Sequence, residues 1–183
     1  NSFSQLTGSM DTAIVTAYCL VEDWLRARRH QESPQRSVSD AEVMTAAITA
    51  ARFFGGNFED GLDLLAERKY FGHRLSPSRF NRRLHGLASL LESFFEWLGR
   101  VHKEAGSEDL VLIDSCPIEV CDNIRNDRCR IYPKTDTGDV YRGYNSSKRR
   151  FVYGLKIHMV TTAEGYPVEV SLAPGSYSDT KHL

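Results

Sequence analysis

The spacing of apolar residues changes once along this 183-residue chain, and that change limits the fold more than any other feature. Up to about residue 104, apolar side chains recur at three- and four-residue intervals, the period of a helix with one buried face. After a short polar hinge at 106–109 they first run together and then alternate, as strands do. A helical region followed by a strand-forming region predicts an α+β chain, with a helical domain over 10–105 and a second domain over 108–183.

The helices can be placed from their caps. Residues 12–29 put Ile14, Ala17, Tyr18, Val21, Trp24 and Leu25 on one side of a first helix. Residues 1–9 are polar, include no Met, and are set outside the fold. Ser39-Asp40-Ala41-Glu42 forms a capping box, and the helix it opens runs to Gly55-Gly56, where glycine permits a left-handed cap. Asn57 caps a third helix that Gly72 closes. Ser76-Pro77 opens a fourth, with proline at the first helical position. Its stripe of Phe80, Leu84, Leu87, Leu91 and Leu98 predicts one continuous helix.

In the second region Leu110, Val111, Leu112 and Ile113 are apolar without interruption, as in a central strand covered on both faces. Asp114 follows at once, and Pro117 is expected to stop the ladder. The carboxylate would then sit at a sheet rim, open to solvent or metal. An ordinary turn or cap role fits the same context. Phe151, Tyr153, Leu155, Ile157 and Met159 alternate with Val152, Lys156 and His158. After a turn at Glu164-Gly165, Val168, Val170 and Leu172 alternate again, so these two strands should form an antiparallel hairpin. Three strands are expected in all. The polar stretch 122–150 is long for a connection, and loops of that length are usually functional or disordered. His158 is a candidate base, although a strand histidine is more often structural.

A formal net charge of −1 would argue against a polyanionic partner, but the charges are segregated. Arg68, Lys69, Arg74, Arg79, Arg82 and Arg83 lie in a run, 68–91, that contains no carboxylate. Arg142, Lys148, Arg149, Arg150 and Lys156 form a second basic stretch after Asp139, while Glu22, Asp23, Glu59, Asp60 and Asp63 gather elsewhere. Arg79, Arg82 and Arg83 fall in the first turns of the fourth helix, where the second helix of a helix-turn-helix presents side chains to DNA. A solvated helix face explains them as well. Cys19, Cys116, Cys121 and Cys129 make no paired C-x-x-C units. A zinc set of Cys116, Cys121, Cys129 and His158 is the lesser option, because structural zinc sites use tighter ligand pairs. No apolar run approaches the roughly 20 residues of a bilayer span, and no signal-peptide pattern is present, so an intracellular protein is expected.

Ile113-Asp114-Ser115 with Pro117, then Val120-Cys121, Asn123 and Arg125, resembles the first catalytic block of bacterial insertion-sequence transposases of the DDE type. Gly154-Leu155-Lys156-Ile157-His158 is similar to that family's second strand. Leu172-Ala173-Pro174-Gly175 with Asp179 is similar to the segment after its third. Upstream, the sequence from Leu75 to His85 resembles the basic helix of one subgroup.

The resemblance implies an RNase H-like catalytic domain, of which this chain would hold the first three antiparallel strands. In the family an Asp on the first strand, a second Asp on the fourth and a Glu on a later helix hold two Mg²⁺ (or Mn²⁺) ions. Here Asp114 corresponds to the first. Asp179 is expected to cap a helix rather than bind metal. The implied partner is double-stranded DNA, both element ends and target, contacted by Arg79, Arg82, Arg83, Lys148, Arg149 and Arg150. A homodimer is left open, no membrane is involved, and the protein would lie in the cytoplasm with the bacterial nucleoid. The sequence stops at Leu183 before the other carboxylates would come, so the 183-residue chain is expected to be inactive by itself. The alternative is a truncated DNA-binding protein that inhibits transposition by occupying element ends.

Overall fold

The first helix, α1 (Ser2–Ala27), starts well before its apolar stripe. The polar residues set outside the fold from sequence extend it, because each residue added to an existing helix gains a hydrogen bond. The structure, a computed structural model, describes residues 2–105, 111–121, 129, 131–132, 140–145 and 149–177, with side chains from Ser9 onward. Five helices precede an antiparallel sheet. The chain divides into two compact units, Asn1–Phe94 and Phe95–Leu183, and the division falls inside the fifth helix.

In the first unit, α2 (Asp40–Phe53) is the central helix, with α1, α3 and α4 packed around it. Its capping box forms as the sequence requires: Ser39 Oγ accepts the Glu42 amide at 3.1 Å, and the Glu42 carboxylate accepts the Ser39 amide. Neighbours on several sides explain why Ala41, Val43, Met44, Ala46 and Ala50 are all buried, along with Thr45 and Thr49. Small residues let the surrounding helices approach. α3 (Phe58–Glu67) starts at Asn57, whose Oδ1 accepts from Glu59 and Asp60. It ends earlier than Gly72, because Lys69 takes a left-handed conformation at φ 56°.

The expected fourth helix is two, α4 (Pro77–Gly86) and α5 (Ala88–Ala105). Gly86 weakens the helix there, and Leu87 leaves it to bury its side chain. Phe80 of α4 packs against Phe58, with ring centroids 5.3 Å apart, and Phe94 of α5 meets Trp24 edge-on at 5.3 Å.

The second unit holds β1 (Val111–Cys121), β2 (Arg142–Asn145), β3 (Arg150–Thr162) and β4 (Pro167–Pro174). β3 is the spine: β1 pairs along one edge, β2 and then β4 along the other, all antiparallel. The β3–β4 hairpin turns at Gly165, φ 88°. Among the described residues there are thus four strands rather than three. The extra one, β2, lies in the polar stretch read as a connection, and four residues are too few to show alternation.

β1 also departs from expectation. It runs on through Asp114 and Pro117 to Cys121. Among the described residues it pairs on the β3 side alone, and an edge strand tolerates proline where the missing N–H would point outward. The apolar run is not covered on both faces either. Val111, Leu112 and Ile113 are 42%, 53% and 54% exposed.

Directly opposed residues share a sheet face. One face therefore carries Leu112, Asp114, Cys116 and Ile118 of β1, Leu155, Ile157 and Met159 of β3, and Val170 and Leu172 of β4. The other carries Ser115, Lys156, His158, Val160 and Ala173. This second face is the better covered. Tyr177 meets the buried His158 edge-on at 6.2 Å and accepts a hydrogen bond from Lys156 Nζ through its carbonyl at 3.0 Å. The C-terminal half of α5 lies over the same face near Val111 and Val160, and His102 stacks on Tyr166 at 4.8 Å.

Two glycines fix these approaches. A β-carbon on Gly99 would overlap the carbonyl of Val168, the residue that bulges between Glu169 and Pro167 in β4. Gly154 lies where β1 bulges between Glu119 and Cys121, and a β-carbon there would overlap the Ile118 carbonyl. Its N–H donates to Tyr141 O at 2.8 Å, and its carbonyl accepts from Gly175 at 3.0 Å. Gly99→Ala should therefore destabilise the second unit by about 1–3 kcal/mol through overpacking, although alanine favours a helix. Gly86→Ala, with open space around it, should be neutral or stabilising by up to about 1 kcal/mol. Thermal melts of the two variants side by side check this, and equal midpoints would refute the close packing at Gly99.

Candidate functional site

Asp114 stands in the middle of β1, opposite Met159, with its side chain exposed. Its Oδ1 accepts the Ser115 amide at 2.7 Å. The rim position expected from sequence is thus replaced by a mid-strand position on an open sheet face, bordered by Leu112, Cys116 and Met159. Solvent reaches the carboxylate, and pairing with β3 holds the backbone that carries it. Such a group can take a hard cation or a protonated donor. It offers only one ligand, and the sheet's other described carboxylates do not join it. Glu119 and Glu169 lie on the opposite face, and Glu119 is paired with Arg150.

The basic residues singled out from sequence separate into two kinds. Arg79 and Arg82, three residues apart on α4, are exposed. Arg83 is turned inward, with its guanidinium donating to the Val38 carbonyl and pairing with Asp40. Arg68 pairs with Asp11, and Arg74 with Asp63 at 2.6 Å. The carboxylate-free run is therefore partly neutralised by acids from α1, α2 and α3, which local sequence could not show. The connection between α3 and α4 spans 68–76, longer than the usual tight turn of a helix-turn-helix of about 3–4 residues. In the second unit Arg149 is exposed in a left-handed conformation, φ 50°, and Arg150 is held by Glu119. Lys148, Asn123, Arg125 and Asp179 lie outside the described residues.

Sequence reasoning missed the role of Asp40, seen there only as part of a cap. It is 2% exposed and gathers four partners. His30 Nε2 lies at 2.9 Å, Arg36 Nη1 donates to both oxygens at 2.6 and 2.7 Å, Arg83 pairs with Oδ1, and the Asp40 amide donates to Glu32 at 2.9 Å. Burial pushes the Asp40 carboxyl up, but hydrogen bonds from His30 and Arg83 and the charges of Arg36 and Arg83 outweigh it, leaving the pKa below the ordinary value. His30, Glu32 and Asp40 have the spacing of a metal site. Two guanidinium groups already saturate the central carboxylate and would repel a cation, so this cluster is an ionic knot that ties α4 to the start of α2.

The zinc option also fails on geometry. Cys116 and His158 project from opposite faces of the sheet. Among the described residues no helix is long and apolar enough to cross a membrane.

Residues 104–183 match the protein family described as Transposase DDE domain, so the matched segment includes the whole sheet and Asp114. Neither curated proteins nor solved structures give a match to the chain.

Proposed function

On the match of residues 104–183 to the family described as Transposase DDE domain, we propose that this chain serves a bacterial insertion-sequence transposase, binding element-end and target DNA and supplying the first carboxylate of an RNase H-like catalytic centre. The observation that carries the reading is Asp114, the exposed carboxylate on the open face of a sheet lying wholly within the matched segment.

Asp114 suits Mg²⁺ or Mn²⁺, which prefer hard oxygen ligands and keep several waters. Such ions, when bound in a pair, activate water and stabilise the leaving oxygen in phosphodiester cleavage and strand transfer. Asp114 supplies one ligand held on a paired strand, and the Ser115 amide orients it. Since Glu119 and Glu169 face away, the described residues do not complete a two-ion centre. On this reading the 183-residue chain binds DNA without cutting it. A non-catalytic protein that competes for element ends would share this behaviour, and cleavage by the same chain in Mg²⁺ or Mn²⁺ would exclude it. Nothing in the reading requires a membrane, and it places the protein in the cytoplasm at the nucleoid.

The DNA contacts assigned to the helical unit are Arg79 and Arg82, with Arg83 orienting their helix through Asp40. In the second unit they are Lys148 and Arg149, with Arg150 fixed against Glu119. A double Arg79→Glu, Arg82→Glu variant should bind duplex DNA more weakly. Its affinity should also fall less steeply with salt, by about two contacts' worth of counterion release. Anisotropy titrations of a labelled duplex at several salt concentrations test this. An unchanged salt slope would move the contact surface off α4.

A further inference from the structure

We propose that the β2–β3 hairpin is a stacking site for unpaired nucleotides. The inference rests on the reading that this chain acts on DNA, and it adds a substrate form: a single-stranded stretch rather than an intact duplex.

Tyr144 of β2 and Phe151 of β3 are direct cross-strand partners. Their rings meet edge to face, with centroids 5.1 Å apart at 63°, and they remain 59% and 46% exposed. In this arrangement one ring's edge covers part of the other's face, and open π surface is left on the pair. The Arg142 guanidinium lies 4.1 Å from the centre of the Phe151 ring, and Arg149 is exposed at the hairpin's turn. No carboxylate occurs from Val140 to Ala163. Among the described residues, Glu119 reaches the hairpin and pairs with Arg150.

Exposed aromatic rings interleaved with arginine suit a ligand that is both a polyanion and a carrier of flat faces. A protein partner would be met more naturally by aliphatic surface, and here the flanking groups are cationic. A base-paired duplex satisfies the charge but hides its base faces within the stack. Unpaired nucleotides supply phosphate for Arg142 and Arg149 and a free base face for Tyr144 and Phe151.

The test uses the 183-residue chain and a labelled single-stranded oligonucleotide of roughly 10 nucleotides, alongside a blunt duplex, followed by anisotropy. Wild type should bind the single strand, and Tyr144→Ala or Phe151→Ala should weaken that binding about tenfold or more while leaving duplex affinity within about twofold. Tyr144→Phe should retain binding and Tyr144→Leu should lose it, which separates a π face from bulk and stands if the alanine variants fail to fold. Arg79→Glu with Arg82→Glu should show the opposite pattern, losing duplex and keeping single strand. If wild type binds duplex alone, or if Tyr144→Leu binds single strand as well as Tyr144→Phe, the stacking site is refuted and the broader DNA reading survives. If wild type binds the single strand alone, the stacking site stands and the α4 contacts fall. If it binds neither, both are overturned.

Discussion

Replacing Asp40 with asparagine is expected to destabilise the helical unit by about 3 kcal/mol, the lower end of what breaking a buried ion pair costs. The carboxylate is almost fully enclosed and is shared by Arg36, Arg83 and His30. Asparagine keeps the shape and removes the charge, so the Arg83 guanidinium stays largely buried without its counter-ion. Arg36 is 41% exposed and can turn to water, which holds the cost toward the lower end. Acid should act in the same direction. The folded-state pKa of Asp40 lies below its ordinary value, so its contribution is present above the unfolded pKa of about 3.9 and is lost as pH falls through the lower folded value. Urea unfolding at neutral pH and at a series of acidic pH values should show a less stable Asp40→Asn whose stability depends less on pH below about 4. A variant as stable as wild type would mean that the knot contributes nothing. Because Arg83 belongs to α4, duplex binding through Arg79 and Arg82 should fall with it.

The second large effect concerns chemistry. In an active transposase that carries this segment, Asp114→Asn is expected to lower strand cleavage by about 10²–10³-fold or more, the scale on which losing one charge-stabilising group is felt. Duplex binding should remain near wild type. The separation follows from placement. Asp114 is exposed among the described residues, so the substitution disturbs no core contact, and asparagine can still accept the Ser115 amide. What is lost is the negative charge that draws a divalent cation. Asp179→Asn should matter far less if Asp179 caps a helix, since asparagine caps about as well. Cleavage of a labelled element end by wild type and both variants, set beside their binding curves, decides the assignment. Loss in Asp179→Asn with activity retained in Asp114→Asn would reverse it.

Local signals in the sequence were reliable where local physics decides the structure. The capping box at Ser39, the Asn57 cap and the Gly165 turn formed as expected, because each depends on residues within a few positions of one another. Pairing over long separations was not legible. Arg83 looked like a surface cation because its partner, Asp40, is 43 residues away. Arg68 and Arg74 were likewise neutralised by distant acids. Leu87 ended a helix that its own spacing would have continued, since tertiary burial outweighed the periodic pattern. At Asp114 the sequence pointed to the residue but not to its setting. An unbroken apolar run reads as a covered strand, and nothing in four consecutive side chains reveals that one edge of the strand is unpaired among the described residues.

The uneven covering of the sheet has a consequence for mutational screening. Substitutions at Ala173, His158 or Gly154 fall on the packed side or at a backbone crossing, and a selection that reads only folded protein would register them strongly. Changes at Leu112, Leu172 or Asp114 fall on the open side and would pass such a selection almost silently. A tolerance map built on abundance would therefore score the open side of this sheet, Asp114 included, as dispensable. If Asp114 acts in DNA chemistry as proposed, a map built on that chemistry would show the reverse, and the difference between the two maps would trace the site.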